Sequence, residues 1–301
     1  MSVRALSPAL SAKARVELNE DPNRLQSDLL AIKEWLSKQP HLNWLAAFLR
    51  GCKFSLERTK EKLDIYYTLR STAPDLFRIK HTDTKFDEIL KIFTILPKAP
   101  GPDSPRIVLF RTGGYDPTKY HVLDIFGLLT WFVFQIVFLE DDHATVAGTQ
   151  TVIDLDGVGV GHFIQLTPFV LKKMVTLSQD AQPIRMKGTH YLNTPPGFET
   201  FFNAVKSLLN EKNRNRLYVH NKNYEAMYEH IPKDILPTEY GGNAGTIAEI
   251  TEYWRNKVKQ YNSWLEEDEK YGTDESKRPG KPKTSETMFG VEGSFRRLEF
   301  D

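Results

Sequence analysis

Cysteine is nearly absent: the chain of 301 residues has one, Cys52. A single thiol excludes a disulfide framework and any zinc site built on several cysteines. Long apolar runs are scarce too. The one tempting stretch, residues 125–139, is broken by Thr130 and Gln135 and falls short of the ~20 residues that a membrane-spanning helix needs. It reads as a buried core helix. The opening residues are polar, without the apolar stretch of a signal peptide, and the lone thiol fits a reducing compartment, so a cytoplasmic protein is expected. Charge of one sign is also lacking. The net charge is +1, which argues against a nucleic-acid partner bound through a globally basic surface.

The neutral sum hides segregation. Residues 101–165 carry 3 Lys/Arg against 8 Asp/Glu, whereas residues 166–222 carry 9 against 3. Such a basic stretch in a neutral protein is either a solvated face or a local site for an anionic partner.

Two textures alternate along the chain. Residues 21–70 read as short helices. Asp21-Pro22 is a start signal, Leu25, Leu29, Ile32 and Leu36 form one stripe, Gln39-Pro40 stops it, and Ser55 caps a later helix. From residue 106 onward, strand-like runs at 106–111, 151–155, 183–191 and 217–220 alternate with helical segments. That alternation implies an α/β domain with a largely parallel sheet. Residues 266–287 are polar and contain Pro and Gly, so a flexible linker is expected there.

The sharpest pattern lies at 193–216. Phe198, Phe201, Phe202, Val205, Leu208 and Leu209 share one face of a helix opened by Thr194 or Pro195. It is either a core-facing helix or a lid over a ligand cavity. Full burial of six such side chains would contribute roughly 9–18 kcal/mol as an upper bound. That is comparable to the whole stability of a typical domain, about 5–15 kcal/mol. A lid of this kind opens far more readily against a membrane, a second apolar phase, than in water.

Basic residues flank it. Arg185 and Lys187 are two apart on an expected strand and share a side; Lys212 and Arg216 are four apart at the end of the helix and share a face. Such cations either complement the helix C-terminus or grip lipid phosphates.

Other patterns carry less. Gly157, Gly159 and Gly161 follow a strand but lack the third spacing of a dinucleotide-binding loop. Glu140-Asp141-Asp142-His143 reads as a solvated turn, since consecutive residues do not converge on one metal. No nucleophile, metal-protease or paired-carboxylate motif stands out. A protein that is not an enzyme, with no cofactor and no metal, is expected.

Four stretches in order resemble the CRAL-TRIO lipid-transfer family: Phe48-Leu49-Arg50 with Lys53-Phe54, Thr151 to Gly157, Asp180 to Pro195 (with Pro183, His190 and Asn193), and Leu236-Pro237 to Gly242. The final residues, 290–298, resemble the tail of its tocopherol-transfer branch. The resemblance implies an N-terminal helical bundle over residues 1–95. A lipid-binding domain over 96–245 would follow, then a C-terminal helix, linker and tail over 246–301. In this α/β fold a largely parallel sheet flanked by helices floors an apolar pocket closed by a mobile gate helix, which 193–216 matches. The resemblance also implies a pocket lined by Trp131, Phe134, Ile153, Leu166, Val170, Met174 and Leu177. Arg185, Lys187, Lys212 and Arg216 match a phosphoinositide-binding cleft. Gln182 replaces an apolar aromatic, and the two strand cations are swapped in type. The expected partners are a small hydrophobic lipid of the tocopherol, retinoid or carotenoid class and an anionic, phosphoinositide-containing membrane that the protein visits peripherally. The alternative is a membrane-recruited phosphoinositide-binding scaffold without transfer activity.

Overall fold

A computed structural model describes residues 3–36 and 41–290. The expected stop at Gln39-Pro40 and most of the tail motif lie outside the described residues. Helix α1 (Pro8–Leu18) was not anticipated, although Ser7 caps it and Pro8 occupies its first turn, a start signal of the kind read at Asp21-Pro22. At that second site Pro22 belongs to a turn, the Asp21 carboxylate accepts from the Asn23 amide at 2.9 Å, and helix α2 (Leu25–Leu36) begins three residues later.

Helices α3 (Leu42–Gly51) and α4 (Leu56–Thr72) complete the N-terminal bundle, with Ser55 capping α4 as expected. Trp44, Phe48 and Tyr66 pack with tilted and edge-to-face rings at their centre, and the Trp44 indole donates to Gln135 at 2.8 Å. Helix α5 (Thr84–Leu90) leads into the sheet.

The sheet has five strands in sequential order: β1 (Phe93–Ile95), β2 (Arg106–Arg111), β3 (Thr149–Asp154), β4 (Met186–Leu192) and β5 (Leu217–Asn221). β2 to β5 pair in parallel and β1 is antiparallel at the edge. β2 (RIVLFR) is buried through its four central residues, as a strand covered on both faces must be.

Helices α6 (Val122–Leu128) and α7 (Phe134–Glu140), joined by a π-helical turn at Leu129–Val133, form the apolar core helix. Val122–Glu140 is long and apolar enough to cross a membrane by length and composition, yet 94% of its apolar window is buried inside the fold. Core packing is thus the reading that holds for this segment. The acidic run after it is not a free turn: Asp141 pairs with Arg106 at 2.6 Å, Asp142 with Arg4 at 2.8 Å and Glu140 with Lys257 at 2.6 Å.

Helices α8 (Val160–Ile164), α9 (Pro168–Val175), α10 (Phe198–Leu208), α11 (Glu211–Arg214) and α12 (Tyr224–Tyr228) lie between and after the later strands. Helices α13 (Ile247–Gln260), α14 (Asn262–Asp268) and α15 (Ser285–Phe289) close the described chain. Where composition suggested a free linker, residues 266–287 are tied to the bundle. Asp268 pairs with Arg70, Arg278 with Asp64 at 2.8 Å and Lys283 with Asp64 at 2.6 Å. Composition misleads here because ion pairs, not apolar contacts, hold the segment.

Candidate lipid cavity and its cationic mouth

Side chains alternate across a strand, and the odd-numbered residues of β3 and β4 face one side. Thr149, Thr151 and Ile153 with Lys187, Thr189 and Tyr191 floor a cavity of about 820 Å³. Phe126, Leu129, Thr130 and Phe134 of the core helix wall it, as do Leu171 and Met174 of α9 and Leu166 before it. Phe201, Val205 and Leu209 cover it.

Of the seven expected pocket residues, Phe134, Ile153, Leu166 and Met174 line the cavity, whereas Trp131, Val170 and Leu177 do not. Which way each helix turns them explains the split. Thr130 and Phe134 lie on the cavity face, while Trp131, the residue after Thr130 in the π-helical turn, faces away and packs on Tyr66 and Phe77 of the N-terminal side, each at 4.6 Å. In α9 and the turn after it, Leu171 and Met174 face the cavity, while Val170 and Leu177 are buried in the core.

Helix α10 is shorter and more loosely held than its sequence suggested. It starts at Phe198, not at Thr194 or Pro195, because Gly197 takes a left-handed conformation (φ +85°) just before it. Only Phe198 of its apolar face is buried. It and Phe202 pack against Tyr191, whereas Leu208 is 37% exposed. The full burial assumed above therefore overstates what holds this helix in place.

At the N-terminal edge of the parallel strands the lining turns cationic. Lys53, Arg185, Lys187, Lys212 and Arg216 all border the cavity. The last two are not on one helix, as spacing had suggested. The chain turns extended at Leu209, Lys212 sits on α11, and Arg216 precedes β5 with its guanidinium donating to the Met186 carbonyl. Burial, and then the neighbouring charges of Arg216, Lys53 and Arg185, push the Lys212 ammonium below its ordinary value. Lys53 was missed in the sequence because it lies some 130 residues from the others; its left-handed backbone (φ +54°) was no more legible. Glu17 of α1 was missed with its helix. Its carboxylate accepts from Arg185 and from Lys187, both at 2.9 Å, and lies 3.2 Å from Lys13. These cations hold it down to about 2 against the desolvation that opposes them.

The opposite edge is polar. Thr112, Tyr115 and His162 line it. His162 is saturated, with Nε2 3.1 Å from the Tyr115 carbonyl and Nδ1 accepting from Gly159 N–H at 3.2 Å. The Thr112 hydroxyl is buried with no hydrogen-bond partner among the described residues. Gly113, beside it, is pressed against the next loop: a Cβ there would meet the Asp156 carbonyl at 1.9 Å. Gly157 lies against Gly113 in turn, and Gly161 against Pro117, so these two glycines belong to packed loops, whereas Gly159 faces open space. Cys52 borders the cavity, and burial pushes its thiol up, away from reactivity.

Two family models match the chain. The CRAL/TRIO domain model matches residues 91–242, and the Pinta-like UBA domain model matches residues 21–85. The chain is 29% identical over 257 residues to the alpha-tocopherol transfer protein-like protein of Homo sapiens, covering 83% of this chain and 74% of that one. It is 28% identical over 251 residues to clavesin-2 of Rattus norvegicus, covering 79% and 75%. The solved structure of Sfh5 is similar at a TM-score of 0.48 and 13% identity, covering 87% of this chain and 99% of that one. The first of these matches spans half of the chain and contains the cavity floor and its cover, and by it the protein belongs to the CRAL/TRIO domain family.

Proposed function

We propose that this protein carries one small hydrophobic lipid in the cavity beneath α10 and exchanges it at phosphoinositide-containing membranes. The observation that carries this reading is the continuity of the cavity with a cluster of cations that includes Lys53, Arg185, Lys187, Lys212 and Arg216. A largely apolar cavity of this size suits a single lipid of the tocopherol, retinoid or carotenoid class. A cationic rim at the same opening suits the phosphate headgroups of the surface where the cargo is exchanged.

In this mechanism α10 is the mobile gate. Its apolar face is half-covered in the closed state, so exchanging the cavity for a bilayer costs it little. Lys212 and Arg216 sit on the segment that joins α10 to β5, so a headgroup bound there pulls on the gate's own C-terminal end. The protein works in the cytoplasm, visits the membrane peripherally and breaks no covalent bond of its cargo. The relatives named as tocopherol transfer protein-like favour the same class of ligand.

Two measurements test the reading. An organic extract of natively purified protein, analysed by mass spectrometry, should yield one lipid species near one per chain. Lys212→Ala with Arg216→Ala should slow transfer between phosphoinositide liposomes about tenfold or more while leaving cargo affinity intact; an unchanged transfer rate would remove the headgroup role.

A further inference from the structure

Of the basic side chains that border the cavity, Lys53, Arg185, Lys187, Lys212 and Arg216 differ in their partners. Arg185 and Lys187 both bind Glu17, while Lys53, Lys212 and Arg216 have no carboxylate partner among the described residues. Glu17 does not belong to the cavity's own walls. It comes from α1, which rests on the π-helical turn His143–Ala147 through a small apolar cluster of Leu10, Ala14, Leu18, Val146 and Ala147, separate from the main core. One oxygen of its carboxylate, Oε2, accepts from both basic side chains and so occupies the place that a phosphate oxygen would take between them. The side chain is about one-third exposed, so an incoming anion reaches it from solvent.

We infer that Glu17 sets which anionic headgroup this mouth accepts. The inference rests on the phosphoinositide reading above and concerns the selectivity of that same site. A ligand with one phosphomonoester seats on Lys53, Lys212 and Arg216 and leaves the Glu17 pairs intact. A ligand with two needs Arg185 and Lys187 as well, so it must displace Glu17 and bear its repulsion meanwhile. Glu17 thereby discriminates against the more highly phosphorylated headgroup. The small apolar seat of α1 lets this displacement occur without opening the main core.

The shared chemistry is a phosphomonoester cluster, carried by a lipid headgroup or by a free inositol phosphate. The experiment uses the full chain as wild type, as Glu17→Gln and as Lys212→Ala/Arg216→Ala. Each is floated on phosphatidylcholine vesicles containing either a phosphatidylinositol monophosphate or a phosphatidylinositol bisphosphate. Each is also titrated with the matching soluble inositol phosphates. Glu17→Gln keeps the size and part of the hydrogen bonding of the side chain, and an unchanged melting temperature verifies its fold. The expected result is a gain of about tenfold or more for the bisphosphate and about twofold for the monophosphate, in the vesicle and the soluble series alike. An equal gain for both headgroups, no gain, or a gain on vesicles alone would overturn the inference. If Lys212→Ala/Arg216→Ala loses binding while Glu17→Gln changes nothing, the phosphoinositide reading stands and only the role of Glu17 falls. If no variant differs from wild type, both fall.

Discussion

Asn193 donates from Nδ2 to Oδ1 of Asp154 at 2.8 Å, while the Tyr240 hydroxyl donates to the other oxygen of the same carboxylate. The three residues come from the end of β3, the turn after β4 and the Leu236-Pro237 to Gly242 motif, so three stretches far apart in sequence meet at one buried carboxylate. This junction fixes the C-terminal edge of the sheet, and with it the start of the segment leading to α10. Charge-assisted hydrogen bonds of this kind are worth about 1.5–3 kcal/mol each. Asp154→Ala leaves the Asn193 amide and the Tyr240 hydroxyl without their acceptor and is expected to lower stability by about 2–4 kcal/mol. Urea unfolding reads this as a lowered midpoint at constant slope; a change within 0.5 kcal/mol would deny the junction its structural role.

A second prediction concerns acid. His190 of β4 and His220 of β5 lie on the sheet face opposite the cavity, with His190 Nδ1 2.9 Å from His220 Nε2 and the rings nearly parallel. Tyr218 and the His230 ring pack beside them. Burial first, and then the neighbouring imidazoles, lower His190 to about 3, and His220 is lowered for the same reasons. The unfolded chain takes up a proton near pH 6.5 that the folded chain refuses until near pH 3. Stability is therefore present in full above about pH 6.5 and falls as the pH drops toward 3. Between pH 7 and pH 5 the loss from His190 is about 2 kcal/mol. Urea midpoints measured across that interval should fall in the wild type and fall less in His190→Asn; identical pH slopes in the two proteins would exclude the pair as the source.

Much of the fold was legible because its signals are local. The apolar centre of β2, the strand-like run of β3 and the Ser55 cap each declare themselves within a few residues. The site was legible only in part. Phe134, Ile153, Leu166 and Met174 fell on the cavity, but Trp131, Val170 and Leu177 are just as apolar and differ only in which way the helix turns them. The π-helical turn at Leu129–Val133 shifts that phase further, and no residue there advertises it. The ties from Arg278 and Lys283 to Asp64 span more than 210 residues, and Glu17 reaches Arg185 across 168. Long-range ion pairs leave no periodic trace, which is why α1 and residues 266–287 were undervalued.

The polar end of the cavity yields the last prediction. Thr112 lies just past β2, at the edge of the sheet opposite the cationic mouth, and its buried hydroxyl has no partner among the described residues. A buried, unsatisfied hydroxyl costs about 1–3 kcal/mol, and a cargo that reaches it with a hydroxyl or carbonyl group recovers that cost on binding. Thr112→Val keeps the shape and removes the hydroxyl, so its two effects have opposite signs. The empty protein should be as stable as wild type or up to about 1 kcal/mol more stable, because nothing in the fold depends on that oxygen. Affinity for a polar-headed cargo such as tocopherol should fall about five- to tenfold, while affinity for a matched hydrocarbon lacking the polar group should stay constant. Fluorescent-ligand titration with the two cargoes, beside a melting curve of the empty protein, separates these effects. Equal losses for both cargoes would mean that Thr112 only shapes the wall. A loss for the polar cargo alone would orient it with its head at Thr112 and its tail running toward the mouth beneath Arg185 and Lys187.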